Sequence, residues 1–312
     1  MSDVREVVVV GSGLGGLSAA LASARLGRRT TILTGGVPGG QLVSINKIEG
    51  VPGFPDGVPG YDLCPITQEQ ADKAGVEFSM AGCEALVADG DGWRMASSEG
   101  DILARAVIVA TGTERAALGV PGETRLQGKG VSHCASCDAP LLRNQVAVVA
   151  GGGDSGMQEA LTLAEHVAKV VMLERRAALT GMPSFQDQVR ATAKIELRFG
   201  VVVSAILGDS GVTHLRIKNV ATGEESDLAA AAVFACTGLI PNTKLLGGLV
   251  PLDASGRIRV DASMRTRAAG LCAAGNVREG SPHRAAAAMG DGTTAALAID
   301  RYLTTGRWRD PD

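Results

Sequence analysis

Two thiols in the segment VSHCASCDAP, Cys134 and Cys137, stand in a C-x-x-C spacing, with His133 before them and Asp138 after. Such a pair serves one of three ends: half of a zinc site, a reversible dithiol/disulfide, or an inert structural pair. Zinc needs four ligands, and Cys64, Cys83, Cys236 and Cys272 stand singly with no second paired cluster, so no metal is expected. The redox reading is favoured over the other two. Thiolate chemistry needs an acid–base group nearby, and Asp138 adjoins the pair; its other reading is a helix cap on the segment that follows.

Elements that could position this chemistry lie on either side of it. REVVVVGSGLGGLSAALASARLG reads as a buried strand (Val7 to Val10), a turn and a helix, with Gly11, Gly13 and Gly16 matching G-x-G-x-x-G. The first glycine permits the turn, the second lets backbone approach a pyrophosphate, and the third lets helix pack on strand. The helix N-terminus then presents its N–H groups and positive dipole end to phosphate. QVAVVAGGGDSGMQEALTLAEHVAKVVMLERR repeats the pattern with Gly151, Gly153 and Gly156, between strands at Val146–Ala150 and Val170–Leu173. Two such units imply two dinucleotides on one chain. After the first unit's second strand, the position that often holds an acid for a ribose is Thr34, which points to FAD rather than NAD at that site.

The chain has 312 residues, enough for two domains, with 45% hydrophobic and 20% charged residues and a net charge of −3. Basic residues are scattered, and two Trp, two Tyr and five Phe offer no base-stacking platform, so no nucleic-acid partner is expected. The N-terminal apolar run is interrupted by glycines and led by an acid-containing segment, unlike a secretory signal. No stretch is long and apolar enough to span a bilayer, and a cytoplasmic location is expected.

The order of motifs resembles that of the low-molecular-weight thioredoxin reductases over nearly the whole chain. GSGLGG resembles their FAD turn, GGQLVSINKIEGVPGFPDGVPGYDL their isoalloxazine-side loop, and VIVATGTERAALGVPGE their domain crossover. CASCD resembles their redox centre, and FACTGLIPNT with GLCAAGNVREGSPHRAAAAMGDGTTAALAIDRYL the return to the FAD domain. The resemblance implies an α/β fold of two Rossmann-like dinucleotide-binding domains of three-layer ββα type, the second inserted in the first. The FAD domain would be 1–113 plus 244–312, and the NAD(P)H domain, carrying the C-x-x-C, 114–243. It further implies a homodimer whose inserted domain rotates, electrons passing from NADPH (NADH possible) through FAD to the thiols and on to thioredoxin or another disulfide. In this scheme Cys137 faces the flavin, Cys134 attacks the external disulfide and Asp138 supplies the proton.

FAD contacts are expected from Gly11, Ser12, Gly13, Leu14 and Gly16; from Thr34, Gly35, Gly40, Gln41 and Leu42; from Ala110, Thr111 and Gly112; and from Gly275, Asn276, Arg284, Ala285 and Ala286. Pyridine-nucleotide contacts are expected from Gly151, Gly153, Asp154, Ser155, Gly156, Glu174, Arg175 and Arg176. Several positions depart from the family pattern. Its A-G-D turn reads Ala274-Gly275-Asn276, its Arg-Gln pair reads Arg284-Ala285, and the Asn before x-PGFP is Gly50. Its H-R-R-x-x-x-R becomes Glu174-Arg175-Arg176 with Thr180 last. Glu174 suits a ribose diol, whereas the paired arginines suit a 2′-phosphate or form a solvated loop.

Two other activities compete with disulfide reduction. One is an oxygen-dependent dithiol oxidase of the same fold acting on a small molecule, which would need no reduced nucleotide. The other is a flavin-binding regulatory module without redox chemistry, against which the intact C-x-x-C stands. With the glycine turn beginning at residue 11, no preceding thioredoxin-like domain is expected, and ferredoxin-dependent relatives lack the C-x-x-C.

Overall fold

The computed structural model describes residues 4–308. The chain ends named in the expected domain limits, 1–3 and 309–312, lie outside the described residues. The chain divides into two compact units, one formed by Met1–Glu114 with Ile240–Asp312 and the other by Arg115–Leu239.

In the first unit the Val7–Val10 run becomes the strand Arg5–Val10, flanked in parallel by Thr30–Leu33 and Ile102–Val109. Its four valines are at most 3% exposed, as expected of a central parallel strand covered on both faces. Alternation sorts them: Val7 and Val9 join Leu17, Ile108 and Ile299 on one face, and Val8 and Val10 join Leu33, Trp93 and Met95 on the other. Glu77–Ser79 extends the sheet beyond Thr30–Leu33, Leu271–Ala273 pairs with Ile102–Val109, and the antiparallel strands Gly92–Ser97 and Cys83–Asp89 complete it. Helices Leu14–Arg25 and Ala285–Thr305 cross where a Cβ on Gly292 would lie 2.2 Å from the Gly15 carbonyl oxygen. Only glycine fits there.

The second unit has an all-parallel sheet in the order Ile195–Phe199, Lys169–Glu174, Val146–Ala150, Ala232–Ala235, Val131–Ser132. One apolar cluster packs its face under helices Asp154–His166 and Pro183–Ala191, through Met157, Leu163, Phe185 and Phe234. The opposite face packs Val148, Val171 and Val233 against Leu215 and Ile217 of the antiparallel sheet Val201–Leu207, His214–Asn219, Glu225–Ala229. Sheet, sheet and helix make three layers.

The chain passes between units through Thr113–Arg115 and Leu239–Pro241, which pair as a two-stranded ribbon. The return falls at Ile240 rather than at residue 244 as read from sequence. The reason is local. Asn242 is already tied to the first unit, donating its backbone N–H to Gly112 O at 3.1 Å and its amide to Thr111 O at 3.0 Å.

Candidate active site

Parallel strands deliver their C-terminal ends to one edge of a sheet, and ligands of open α/β sheets bind there. In the first unit Val10 leads into Gly11, Ser12, Gly13 and Leu14, and Leu33 leads into Thr34 and Gly35. Val109 leads into Ala110, Thr111 and Gly112, and Ala273 into Gly275 and Asn276. The sequence-predicted FAD residues from these four segments therefore share one sheet edge. Gly16 seals the turn: a Cβ there would lie 1.8 Å from Gly11 O. Gly13 differs, because a Cβ there would meet nothing within 4 Å. Ser12 O accepts the Gly39 N–H at 2.7 Å, which brings the Gly40–Ser44 turn, and with it Gln41 and Leu42, against the fingerprint. Arg284 precedes the helix whose first turn holds Ala285 and Ala286, with no acidic residue in that turn.

Several of the expected side chains bond within the protein. Gln41 donates its amide to the Thr113 carbonyl, and Thr111 donates its hydroxyl to Asn242 O at 2.7 Å, so both are engaged within the protein. Asn276 Oδ1 accepts from the Ser281 hydroxyl at 3.1 Å. Behind that turn the buried Asp291 accepts the Gly275 N–H at 3.1 Å and both Nε and Nη2 of Arg278 at 2.7 Å. This carboxylate lies on the last helix, 16 residues from Gly275 in sequence, with no motif to announce it.

In the second unit Ala150 leads into Gly151–Gly153, and Gly153 caps the helix Asp154–His166 without any side-chain bond. A Cβ on Gly156 would lie 2.0 Å from Gly151 O, whereas one on Gly153 would have only Thr180 Oγ1 at 3.9 Å. Asp154, half-buried, accepts the Met182 N–H at 2.6 Å, and Ser155 is exposed. Glu174 is only 6% exposed and points back into the glycine turn, Oε2 accepting the Gly152 N–H at 2.7 Å and Oε1 the Arg176 N–H at 2.8 Å. The carboxylate is thus part of the turn's own scaffold, while Arg175 and Arg176 are exposed.

The thiols follow the sheet's edge strand, Val131–Ser132, and so lie beyond the same sheet edge as the glycine turn. Cys134 and Cys137 form a disulfide with Cα atoms 5.4 Å apart. Cys134 is the N-cap of the short helix Ala135–Asp138, and its Sγ accepts the Cys137 N–H at 3.3 Å. Cys137 is exposed and Cys134 half-buried. Asp138 ends this helix and makes no side-chain cap bond to the 3-10 turn Ala139–Leu142, so the capping role does not explain it. Sequence reasoning missed Arg115 and Glu159, which pair at 2.9 Å beside the thiols. Neither stands near the motif in the chain.

Burial pushes the remaining thiols up, Cys64 and Cys83 to about 11 and Cys236 to about 12, and Cys272 likewise upward. They stay protonated near neutral pH and are poor nucleophiles. Among the described residues no group of three or more His, Cys, Asp or Glu could hold a metal, and no helix is long and apolar enough to cross a membrane.

A family profile described as "Pyridine nucleotide-disulphide oxidoreductase" matches residues 5–292. The chain belongs to the pyridine nucleotide-disulphide oxidoreductase family. It is 38% identical to the thioredoxin reductase of Streptomyces clavuligerus over 306 residues, covering 97% of this chain and 95% of that one. Among solved structures it is similar to the thioredoxin reductase of Lactococcus lactis, with a TM-score of 0.93 and 33% identity over 96% of this chain and 99% of that one. The T. acidophilum thioredoxin reductase gives 0.91 and 32% over 96% and 99%.

This pyridine nucleotide-disulphide oxidoreductase membership implies FAD and NADPH as cofactors. The residues present fit both. At the first sheet edge the buried Thr34 hydroxyl has no hydrogen-bond partner, as a group meant for a ligand hydroxyl would. Gly13 leaves open space at the N-terminus of a 12-residue helix that no side chain caps, room for a pyrophosphate. Gly153 does the same for the 13-residue helix of the second unit.

Proposed function

We propose that this chain is a flavoprotein disulfide reductase that carries electrons from NADPH to thioredoxin or a similar small disulfide protein. The observation that carries this reading is the Cys134–Cys137 disulfide lying beyond the same sheet edge as the Gly151–Gly156 turn, in a unit separate from the first fingerprint. The relatives named thioredoxin reductase support it. Bound FAD supplies the two-electron relay between nucleotide and disulfide.

The protein's own part is thiol chemistry. Once the pair is reduced, Cys134 Sγ, held at the helix N-cap by the Cys137 N–H, is the thiolate favoured for attack on an external disulfide. That attack forms one S–S bond and breaks another, and the released thiolate takes its proton from Asp138. Cys137 then attacks Cys134 Sγ, re-forming the internal disulfide and freeing the second thiol of the substrate. A nucleotide turn whose Gly153 leaves the helix N-terminus uncrowded would be superfluous in an oxygen-dependent dithiol oxidase. We include in this reading a cytoplasmic location and a homodimer, the latter measurable by sedimentation.

The test is anaerobic addition of NADPH to the purified protein, followed by an oxidised thioredoxin. Loss of the yellow flavin absorbance, then its return on adding the thioredoxin, is expected in the parent. Cys134→Ser should leave Cys137 in contact with the flavin, visible as long-wavelength absorbance, and Cys137→Ser should not. Bleaching by the thiol substrate instead of by NADPH would overturn the proposal in favour of the oxidase.

A further inference from the structure

Cys134 sits between two peptide groups that both end on one ion pair. Glu159, on the helix Asp154–His166, accepts the Ala135 N–H on Oε2 at 2.6 Å. Its Oε1 accepts Arg115 Nη2 at 2.9 Å, and Arg115 Nη1 donates to the His133 carbonyl. The two side chains are 19% and 13% exposed, so the pair is largely withdrawn from water, where charge–charge effects are weakly screened. The peptide oxygen before Cys134 and the peptide N–H after it are thereby fixed at once. The Cys134 N–H is itself held by Ser132 Oγ at 3.1 Å, and the His133 ring contacts Ala235 O at 3.4 Å. With the His133 carbonyl, the Cys134 N–H and the Ala135 N–H all taken, the residue is held in its extended N-cap conformation, from which Sγ accepts the Cys137 N–H.

We infer that Glu159 and Arg115 are positioning residues that set the conformation and the reduction potential of the Cys134–Cys137 couple. This rests on the disulfide-reductase reading above, yet concerns a property measurable without nucleotide or thioredoxin. The two charges balance beside a sulfur that gains negative charge on reduction. Glu159 alone would disfavour that charge, and Arg115 alone would favour it. Both charges already act in opposite senses on the Cys236 thiol, Glu159 raising it and Arg115 lowering it after the larger effect of burial. The double role of Arg115 also suits the residue type, because the two Nη groups of a planar guanidinium fork reach a carboxylate and a carbonyl in fixed directions.

The test equilibrates the full chain anaerobically, without NADPH, with glutathione and glutathione disulfide. The reaction is protein disulfide plus two glutathione thiols giving protein dithiol plus glutathione disulfide. After acid quench and alkylation, the mass of the peptide spanning Cys134 and Cys137 reports the ratio. Glu159→Gln keeps an acceptor for Ala135 but unmasks the Arg115 charge, and should shift the equilibrium toward dithiol by about tenfold, or about 30 mV. Arg115→Gln should shift it by a similar factor toward disulfide. Arg115→Lys restores the charge without the fork, and should return the equilibrium toward the parent while slowing iodoacetamide reaction at Cys134 relative to Cys137. Shifts of Glu159→Gln and Arg115→Gln in the same direction, or within twofold of the parent in both, would overturn the inference. A failure of the reductase reading would appear separately, as disulfide that NADPH does not reduce in the parent.

Discussion

Glu174 offers a prediction in which stability and nucleotide choice can be read from one substitution. Its two carboxylate oxygens each accept one backbone N–H, from Gly152 at 2.7 Å and Arg176 at 2.8 Å, and the group is buried. Glu174→Gln keeps the shape but replaces one acceptor by an amide donor, so one of the two N–H groups loses its partner. An orphaned buried donor costs about 1–3 kcal/mol. For a unit of this size, Arg115–Leu239, that lowers the melting temperature by roughly 4 °C per kcal/mol. The same change removes an anion that its two bonds prevent from swinging aside. Arg175 and Arg176 then face an incoming 2′-phosphate without a fixed opposing charge. Relief of about 1.4 kcal/mol would raise the ratio of kcat/KM for NADPH over NADH about tenfold. The assay is differential scanning calorimetry on the parent and variant, with steady-state reduction by each nucleotide. A fall in melting temperature with an unmoved nucleotide ratio would refute the reasoning, because the turn would then be structural and would not read the 2′ position.

Three further outcomes are expected. Gly13→Ala should fold with little change in melting temperature, since its Cβ meets nothing within 4 Å, but should weaken FAD binding at least tenfold by titration of the apoprotein; Gly16→Ala, with its Cβ 1.8 Å from Gly11 O, should not fold at all. Asp138→Asn should slow single-turnover reduction of thioredoxin by roughly 10²-fold, and near-normal turnover would remove it from proton transfer. Cys236, pushed up to about 12 chiefly by burial, binds its proton more tightly folded than unfolded, so its stabilisation is present below pH 9 and is lost as pH rises toward 12. Cys236→Ala should therefore lose less stability than the parent between pH 9 and 10.5, measured as the urea midpoint; equal slopes would show that this thiol is not what titrates.

Short-range chemistry was legible from the sequence. The valine run, the two strand–turn–helix fingerprints and the C-x-x-C each declare themselves within a few tens of residues, because their geometry is set by chain neighbours. Side-chain partnerships between distant segments were not legible. Glu159 meets Ala135 across 24 residues and Arg115 across 44, and nothing local marks either residue. Asp291 reaches Gly275 and Arg278 only because the last helix returns over the turn. Glu174 could be recognised as an acid at a strand end, but its orientation depends on which donors the glycine turn leaves pointing inward. Asn276, expected at the flavin, also accepts a bond from Ser281 five positions on. The division at Ile240 likewise depends on a distant partner: Asn242 looks like loop and is bonded across 131 residues to Thr111.

The ribbon formed by Thr113–Arg115 and Leu239–Pro241 places both joints of the inserted unit side by side. To the host chain, Arg115–Leu239 is a loop, and an unfolded loop of that length costs about 3 kcal/mol more to close than one of about four residues, at about 0.6 kcal/mol for each of some five doublings. Once the insert has folded with its ends together, that excess disappears. Strand Leu271–Ala273 and the final helix must both reach the N-terminal half across this loop before the first sheet is complete. Folding of the insert then favours the host's assembly: the segment that arrives second from the ribosome is the one whose folding eases the meeting of the first and third.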